Sequence, residues 1–358
     1  MADVLKAPFP WFGGKSRAAP LIWARLGDVD NYVEPFFGSG AVLLGRPTPA
    51  RSETVNDLDC YLANFWRAIA AAPAEVAAHA DWPVNEADLH ARHLWLVRQG
   101  EFRERMKTDP DYFDVKIAGW WVWGLSAWIG GGWCTIRERP WKQRPQMTAG
   151  KLIGVNAIER KRPQITAGKN GNGVHQKVPN VDSRGNKGVY AVRRQIPRVD
   201  AMCDTKANNC DDLVSWFEEL QARLRRVRVA CGDWKRVLGS TPLGLTSNVP
   251  PGFRTAVVLD PPYAGELRDP EIYAHDSGTV SAEVREWALE HGDDERLRIV
   301  LCGYEGEHAM PATWECVAWK AAGGYGNQTG NRNAHLERLW FSPHCLKLDH
   351  GELPLVYE

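Results

Sequence analysis

Thr255-Ala256-Val257-Val258-Leu259-Asp260-Pro261-Pro262-Tyr263 is an apolar run stopped by a carboxylate and two prolines. Such a run reads as a buried strand that ends abruptly, because proline donates nothing to a sheet ladder and restricts the residue before it. The corner beyond Leu259 is therefore stiff and polar. In it the Asp260 carboxylate and the Pro261 carbonyl can both accept hydrogens from a planar amino group, while Tyr263 offers a flat face to an aromatic ring. These groups suit the handling of an aromatic amine.

Strand and helix signals alternate outward from this stretch. Asn31 to Glu34 reads as a short strand followed by glycines, with a helix beginning at Ala41 to Leu44. Thr54 to Asp57 closes a second strand, and Leu58 to Ala71 reads as a helix. Farther on, Arg228 to Asp233 and Arg298 to Cys302 are further short apolar strands, interleaved with helices over about 211–226 and 281–291. Alternation of this kind predicts a parallel α/β sheet assembled from two distant parts of the chain.

The glycines after the first strand let a backbone approach a ligand closely. Two common nucleotide-binding readings fail there. Leu43 stands where G-x-G-x-x-G needs its third glycine, and Phe9 stands where a phosphate loop ending in Gly14-Lys15-Ser16 needs its first.

Three blocks, Pro10-Trp11-Phe12-Gly13-Gly14-Lys15, Asn31 through Gly40 (Asn-Tyr-Val-Glu-Pro-Phe-Phe-Gly-Ser-Gly) and Val55-Asn56-Asp57-Leu58-Asp59, precede Asp260-Pro261-Pro262-Tyr263 in that order. Together they resemble the Dam-like (D12 class) DNA adenine-N6 methyltransferases, over roughly residues 8–66 and 228–305. The resemblance implies a Rossmann-like sheet dependent on S-adenosylmethionine, with an inserted helical and basic loop-rich target-recognition region. It divides the chain into 1–84 and 213–358, which form the methyltransferase domain, and an insert over 85–212. It places Asp260, Pro261, Pro262 and Tyr263 at the catalytic centre. Trp11, Lys15, Glu34, Pro35, Phe36, Gly38, Gly40, Asp57, Asp233, Trp234 and Asp260 fall at the cofactor. Within that set Trp11 and Lys15 close over the cofactor and Asp57 accepts from ribose hydroxyls, a helix N-cap being its other reading. Asp233 and Trp234 meet the adenine, or else form a plain strand-to-helix turn. The reaction needs neither a metal nor a covalent nucleophile. The implied substrate is double-stranded DNA, with the target adenine flipped out of the stack.

Other acceptors of the same methyl group stay open: cytosine N4, an RNA base or a protein amide. So does a catalytically idle DNA-binding protein on the same fold. Cytosine-C5 chemistry needs a Pro-Cys nucleophile, and no such dipeptide occurs.

Charge is balanced over the 358 residues but unevenly distributed. Residues 134–200 hold fifteen Lys and Arg against four acids, a net +11, which leaves −11 for the remainder. Such asymmetry is the footprint of a module that meets phosphates. Within it Arg144-Pro145-Gln146-Met147-Thr148-Ala149-Gly150-Lys151 recurs almost unchanged as Arg162-Pro163-Gln164-Ile165-Thr166-Ala167-Gly168-Lys169, a duplicated hairpin or loop. Arg144, Gln146, Lys151, Arg162, Gln164 and Lys169 are the expected DNA contacts. Upstream, residues 85–130 read as helices whose tryptophans are mostly core anchors. Ile117 to Ile136 lacks charge, but its five glycines and five tryptophans argue against a membrane span. Eight scattered cysteines without a C-x-x-C pair or a secretory leader suit reduced thiols. The expected location is the cytoplasm of a bacterial or phage-infected cell.

Overall fold

The computed structural model describes residues 5–9, 11, 13–128, 133–134, 146–148, 151–153, 209–263, 279–320 and 335–348. The strands are β1 (Asn31–Glu34), β2 (Ser52–Asp57), β3 (Gln146–Thr148), β4 (Lys151–Ile153), β5 (Val227–Cys231), β6 (Thr255–Leu259), β7 (Leu297–Tyr304), β8 (Glu315–Ala318) and β9 (Glu337–Phe341). Seven of them form one sheet in the order β5-β2-β1-β6-β7-β9-β8. The pairs from β5 through β7 are parallel, and β9 runs antiparallel to both β7 and β8.

All five residues of β6 are buried, as a continuous apolar run requires when both faces of a parallel strand are covered. Alternate residues go to different cores. Tyr32, Ala256, Val258, Val300 and Cys302 point into the larger one, while Val33, Val257, Leu259, Ile299 and Leu301 point into the smaller. The larger core is closed by helices α1 (Ala19–Leu26), α3 (Cys60–Ala71), α4 (Pro73–Ala80), α7 (Val115–Ala127) and α8 (Asn209–Leu224). Trp66 and Trp121 are among its largest fully buried side chains. The short helix α2 (Ala41–Leu44), α5 (Glu86–Val97) and α6 (Gly100–Thr108) also contribute to it. The smaller core is closed by α9 (Val280–His291) and by a 3-10 turn over Trp234–Val237. Leu96, Phe102 and Ile117, from helices beyond residue 84, thus share a core with the strands.

The fold is α/β, as the sequence alternation predicts, and Rossmann-like, as the resemblance implies, but the sheet is mixed rather than wholly parallel because β9 runs against β7 and β8. Two additional strands, β8 and β9, were not among those expected. The helix read as starting at Leu58 starts at Cys60, because the Asp59 carboxylate caps it by accepting from the N–H groups of Tyr61 and Leu62 at 2.8 and 3.3 Å. The first copy of the basic repeat, together with Leu152 and Ile153 after it, supplies the antiparallel pair β3–β4, with Gln146 opposite Ile153 and Lys151 opposite Thr148. Arg144 and the second copy, with Arg162, Gln164 and Lys169, lie outside the described residues. No described helix is long and apolar enough to cross a membrane.

Candidate active site

From β1 the chain turns toward β2 on one side, whereas from β6 it continues to β7 on the other. Open α/β sheets bind ligands at the carboxyl ends of strands where the order reverses in this way. The residues selected from sequence for catalysis and cofactor binding lie at that edge, in two groups, whereas Gln146 and Lys151 lie on the separate β3–β4 pair.

The first group surrounds the turn after β1. Gly38 and Gly40 both have positive φ, at +51° and +68°. A Cβ on Gly38 would come within 2.7 Å of the Trp11 ring, so this close approach requires glycine. The turn is held from three directions. Asp57 Oδ2 accepts from the Gly38 N–H at 3.0 Å, Trp66 Nε1 donates to the Gly38 carbonyl at 3.1 Å, and Phe37 N–H donates to the Asn56 carbonyl at 2.9 Å. Buried Asn56 also donates through Nδ2 to the carbonyls of Pro35 and Gly232, at 3.0 Å each, tying together the turns after β1 and β5. Asp57 is not a helix cap. Its Oδ1 accepts from the Asp59 N–H at 2.9 Å, while Asp59 does the capping. Burial pushes the Asp57 carboxyl up to about 7 against the opposing effect of these backbone donors.

At the neighbouring strand end, Trp234 is buried and its ring stacks on that of half-buried Phe36, with centroids 6.1 Å apart and planes inclined by 30°. Asp233 is exposed, and its carboxylate accepts from the Lys235 N–H at 2.9 Å, capping the 3-10 turn.

The second group is an ion cluster. Lys15, only 3% exposed, donates to both oxygens of Asp260 at 2.8 Å and to the Gly13 carbonyl at 2.7 Å. Its ammonium lies 5.3 Å from the Tyr263 ring centroid and 5.7 Å from that of Trp319. Burial works against the charged ammonium, but Asp260 and Glu337 outweigh it and hold the Lys15 pKa above its ordinary value. Tyr263 is buried and donates its hydroxyl to Glu337 Oε2 at 2.9 Å, and its ring meets Tyr304 edge-on at 4.6 Å. Burial raises the Glu337 carboxyl, opposed by Lys15 and reinforced by Asp260. Glu34 is also buried; it accepts from the Tyr32 hydroxyl at 2.7 Å and is likewise raised by burial. Pro261 is buried and Pro262 half-buried.

Glu337, Tyr304, Trp319 and Asn56 belong to the site but escaped sequence reasoning. Glu337 arrives through the register of β7 with β9, which sets it opposite Tyr304. Its only local signal is the apolar Leu339-Trp340-Phe341 that follows it. The structure places Lys15 on Asp260, and the ring of Tyr263 packs inward rather than standing free.

The residues present fit S-adenosylmethionine. A carboxylate has about four acceptor positions; Asp57 turns two to the Gly38 and Asp59 N–H groups and also faces the Leu58 N–H, leaving an acceptor position for a ribose hydroxyl. The adjacent Phe36–Trp234 pair supplies aromatic surface, and the glycine turn admits close backbone contact.

A mostly parallel sheet with its polar groups collected at this switch point is the architecture of Rossmann-like methyltransferases. Residues 11–93 match the family described as D12 class N6 adenine-specific DNA methyltransferase. The matched range includes Trp11, Lys15, the Glu34 to Gly40 turn and Asp57, and ends before Asp233, Asp260 and Glu337. No curated protein matches the chain.

Proposed function

We propose that this chain is a site-specific DNA methyltransferase acting on N6 of an adenine flipped from double-stranded DNA. The observation that carries the reading is the Asp260 carboxylate, fixed by buried Lys15 at the end of β6 and adjacent to the Gly38 turn within the family match. S-adenosylmethionine bound there would supply an electrophilic methyl carbon carried on a sulfonium leaving group, to be taken by the amine nitrogen.

The protein's own residues have separate tasks. Asp57, Phe36, Trp234 and the Gly38–Gly40 turn hold the cofactor, with Glu34, Pro35 and Asp233 bordering it and Trp11 covering the turn. Lys15 occupies one acceptor position on each Asp260 oxygen, which fixes the carboxylate plane and leaves the remaining positions on its 21% exposed side. There the carboxylate and the Pro261 carbonyl hold the hydrogens of the amine and stabilise the positive charge developing on nitrogen. Asp260 then accepts the proton that nitrogen sheds. Pro262 stiffens the corner. Tyr263 serves as the stacking face for the flipped base once its ring turns from Glu337 toward the opening.

The insert over 85–212 is assigned to target recognition. Arg144, Lys151, Arg162 and Lys169 meet phosphates, while Gln146 and Gln164 read base edges. The setting is a bacterial or phage-infected cytoplasm. The test is transfer of tritium from labelled cofactor to DNA, with single-molecule sequencing of DNA from expressing cells to identify the modified base. Asp260→Ala is expected to abolish transfer while cofactor affinity falls much less; near-normal turnover in that variant refutes the mechanism.

A further inference from the structure

Away from the strand ends, Trp82 and helices α4, α5 and α7 line an open cavity of about 500 Å³ that involves none of the residues named above. Arg92 of α5 lies in its wall and is 8% exposed. Three indole rings surround the guanidinium, with centroids at 4.1 Å (Trp123), 4.8 Å (Trp120) and 5.2 Å (Trp82). No acceptor among the described residues reaches Nη1, which is itself closed to solvent, so a ligand in the cleft would meet the guanidinium through Nε and Nη2. The nearby acid is Asp88, whose Oδ2 already accepts from Trp82 Nε1 at 2.7 Å and Asn85 Nδ2 at 2.6 Å. Burial lowers the Arg92 pKa, with Asp88 in partial opposition.

An ion removed from water loses its solvation unless a counter-ion and hydrogen bonds replace it. Each ring contact returns only part of that loss. Rings, however, give the guanidinium hydrogens no lone pair, and no described acceptor is bonded to Nε or Nη2 either. The 8% of Arg92 that is exposed therefore offers the Nε–Nη2 edge of a guanidinium, whose geometry matches two oxygens of a phosphate. Around it stand flat apolar faces. Trp82 is 49% exposed, and Trp95 meets Trp120 edge-on at 5.1 Å. A second cation, Lys116, lies 4.6 and 4.5 Å from those two ring centroids. The volume falls within the range of about 300–1,000 Å³ usual for small-ligand sites.

We infer that this cavity binds a nucleotide, with its phosphate on Arg92 and its base against the Trp82 and Trp95 rings, at a site separate from the one at the strand ends. The inference is independent of the methyl-transfer reading, because it concerns binding alone. Its ligand can be a free nucleotide or a nucleotide within a DNA strand.

The test is calorimetric titration of the full chain with thymidine 5′-monophosphate, thymidine and a short oligothymidylate, in excess S-adenosylhomocysteine to occupy the cofactor site. The monophosphate is expected to bind at least about tenfold more tightly than thymidine, and Arg92→Met and Trp82→Ala are each expected to lose about tenfold in its affinity. Arg92→Met should melt no lower than the wild type, since it removes a buried charge that lacks an acceptor; a purely structural brace would lower the melting temperature. Should Arg92→Met fail to fold, Trp82→Ala carries the test, its ring being half exposed. Oligothymidylate binding that is much tighter than that of the monophosphate, and lost in Trp82→Ala, identifies a DNA strand as the source; equal affinities identify the free nucleotide. Absence of binding to the wild type, equal affinity for thymidine and its monophosphate, or unchanged affinity in Trp82→Ala overturns the proposal.

Discussion

Replacing Lys15 by Met removes one ammonium from among Glu34, Asp260 and Glu337 while keeping nearly the same side-chain volume. Breaking a buried ion pair by deleting one partner costs about 3–5 kcal/mol, because the other charge is stranded. Asp260 keeps 21% exposure, so water screens it on one side and the loss should lie near the lower limit, about 3 kcal/mol. The loss should also depend on pH. Burial already raises Glu34 and Glu337 above 4.5, and Lys15 lowers both; its removal raises them further. The folded variant then holds protons that the unfolded chain has released, so its stability falls as pH rises above that ordinary value. The deficit against wild type is thus largest in mild alkali and shrinks toward the acid end of the window. Urea denaturation of both proteins at about pH 8 and about pH 5.5 measures it directly. Equal stability at the higher pH, or a deficit that does not change with pH, would show that the ammonium does not hold this cluster together.

Asp57 carries the opposite kind of test, on binding. Its folded pKa of about 7 exceeds its ordinary 3.8, so the free protein is stabilised by protonation below that range and loses this stabilisation as pH rises through it. Binding that needs the carboxylate form should strengthen about tenfold between pH 6 and 8, with release of a proton; Asp57→Asn should bind S-adenosylhomocysteine more weakly and without this pH dependence in calorimetry. For the basic segment, replacing Lys151 and Lys169 with alanine should flatten the dependence of log affinity for DNA on log salt by about 0.9 per lost phosphate contact. An unchanged slope, together with unchanged site preference in a chain lacking 137–198, moves recognition to the Trp-rich helices.

The parts of the site legible in the sequence are those fixed by local backbone chemistry. Pro261 and Pro262 end a strand wherever they occur, and Gly38 and Gly40 mark a turn that side chains would obstruct, so both strand ends could be read without knowing their neighbours. What could not be read depends on register and distance. Lys15 reaches Asp260 across 245 positions, and Glu337 reaches Tyr263 across 74. No local pattern announces either pairing. The helix reads two residues too early, from Leu58 rather than Cys60, for a related reason: Asp57 and Asp59 look equivalent in sequence, and only the proximity of Gly38 to Asp57 separates their roles.

The strand order carries a consequence for the continuity of the polypeptide. β1 and β2, which precede the basic segment, are inserted between β5 and β6, which follow it. A single break in the backbone between α7 and α8 therefore separates no finished unit: one piece holds β1 and β2 with the glycine turn and Lys15, the other holds β5 through β9 with Asp260 and Glu337. Each piece exposes a strand edge that only the other can cover. They have the character of complementary fragments, joined through the β2–β5 and β1–β6 ladders, and the Lys15–Asp260 pair forms only when the two are reunited.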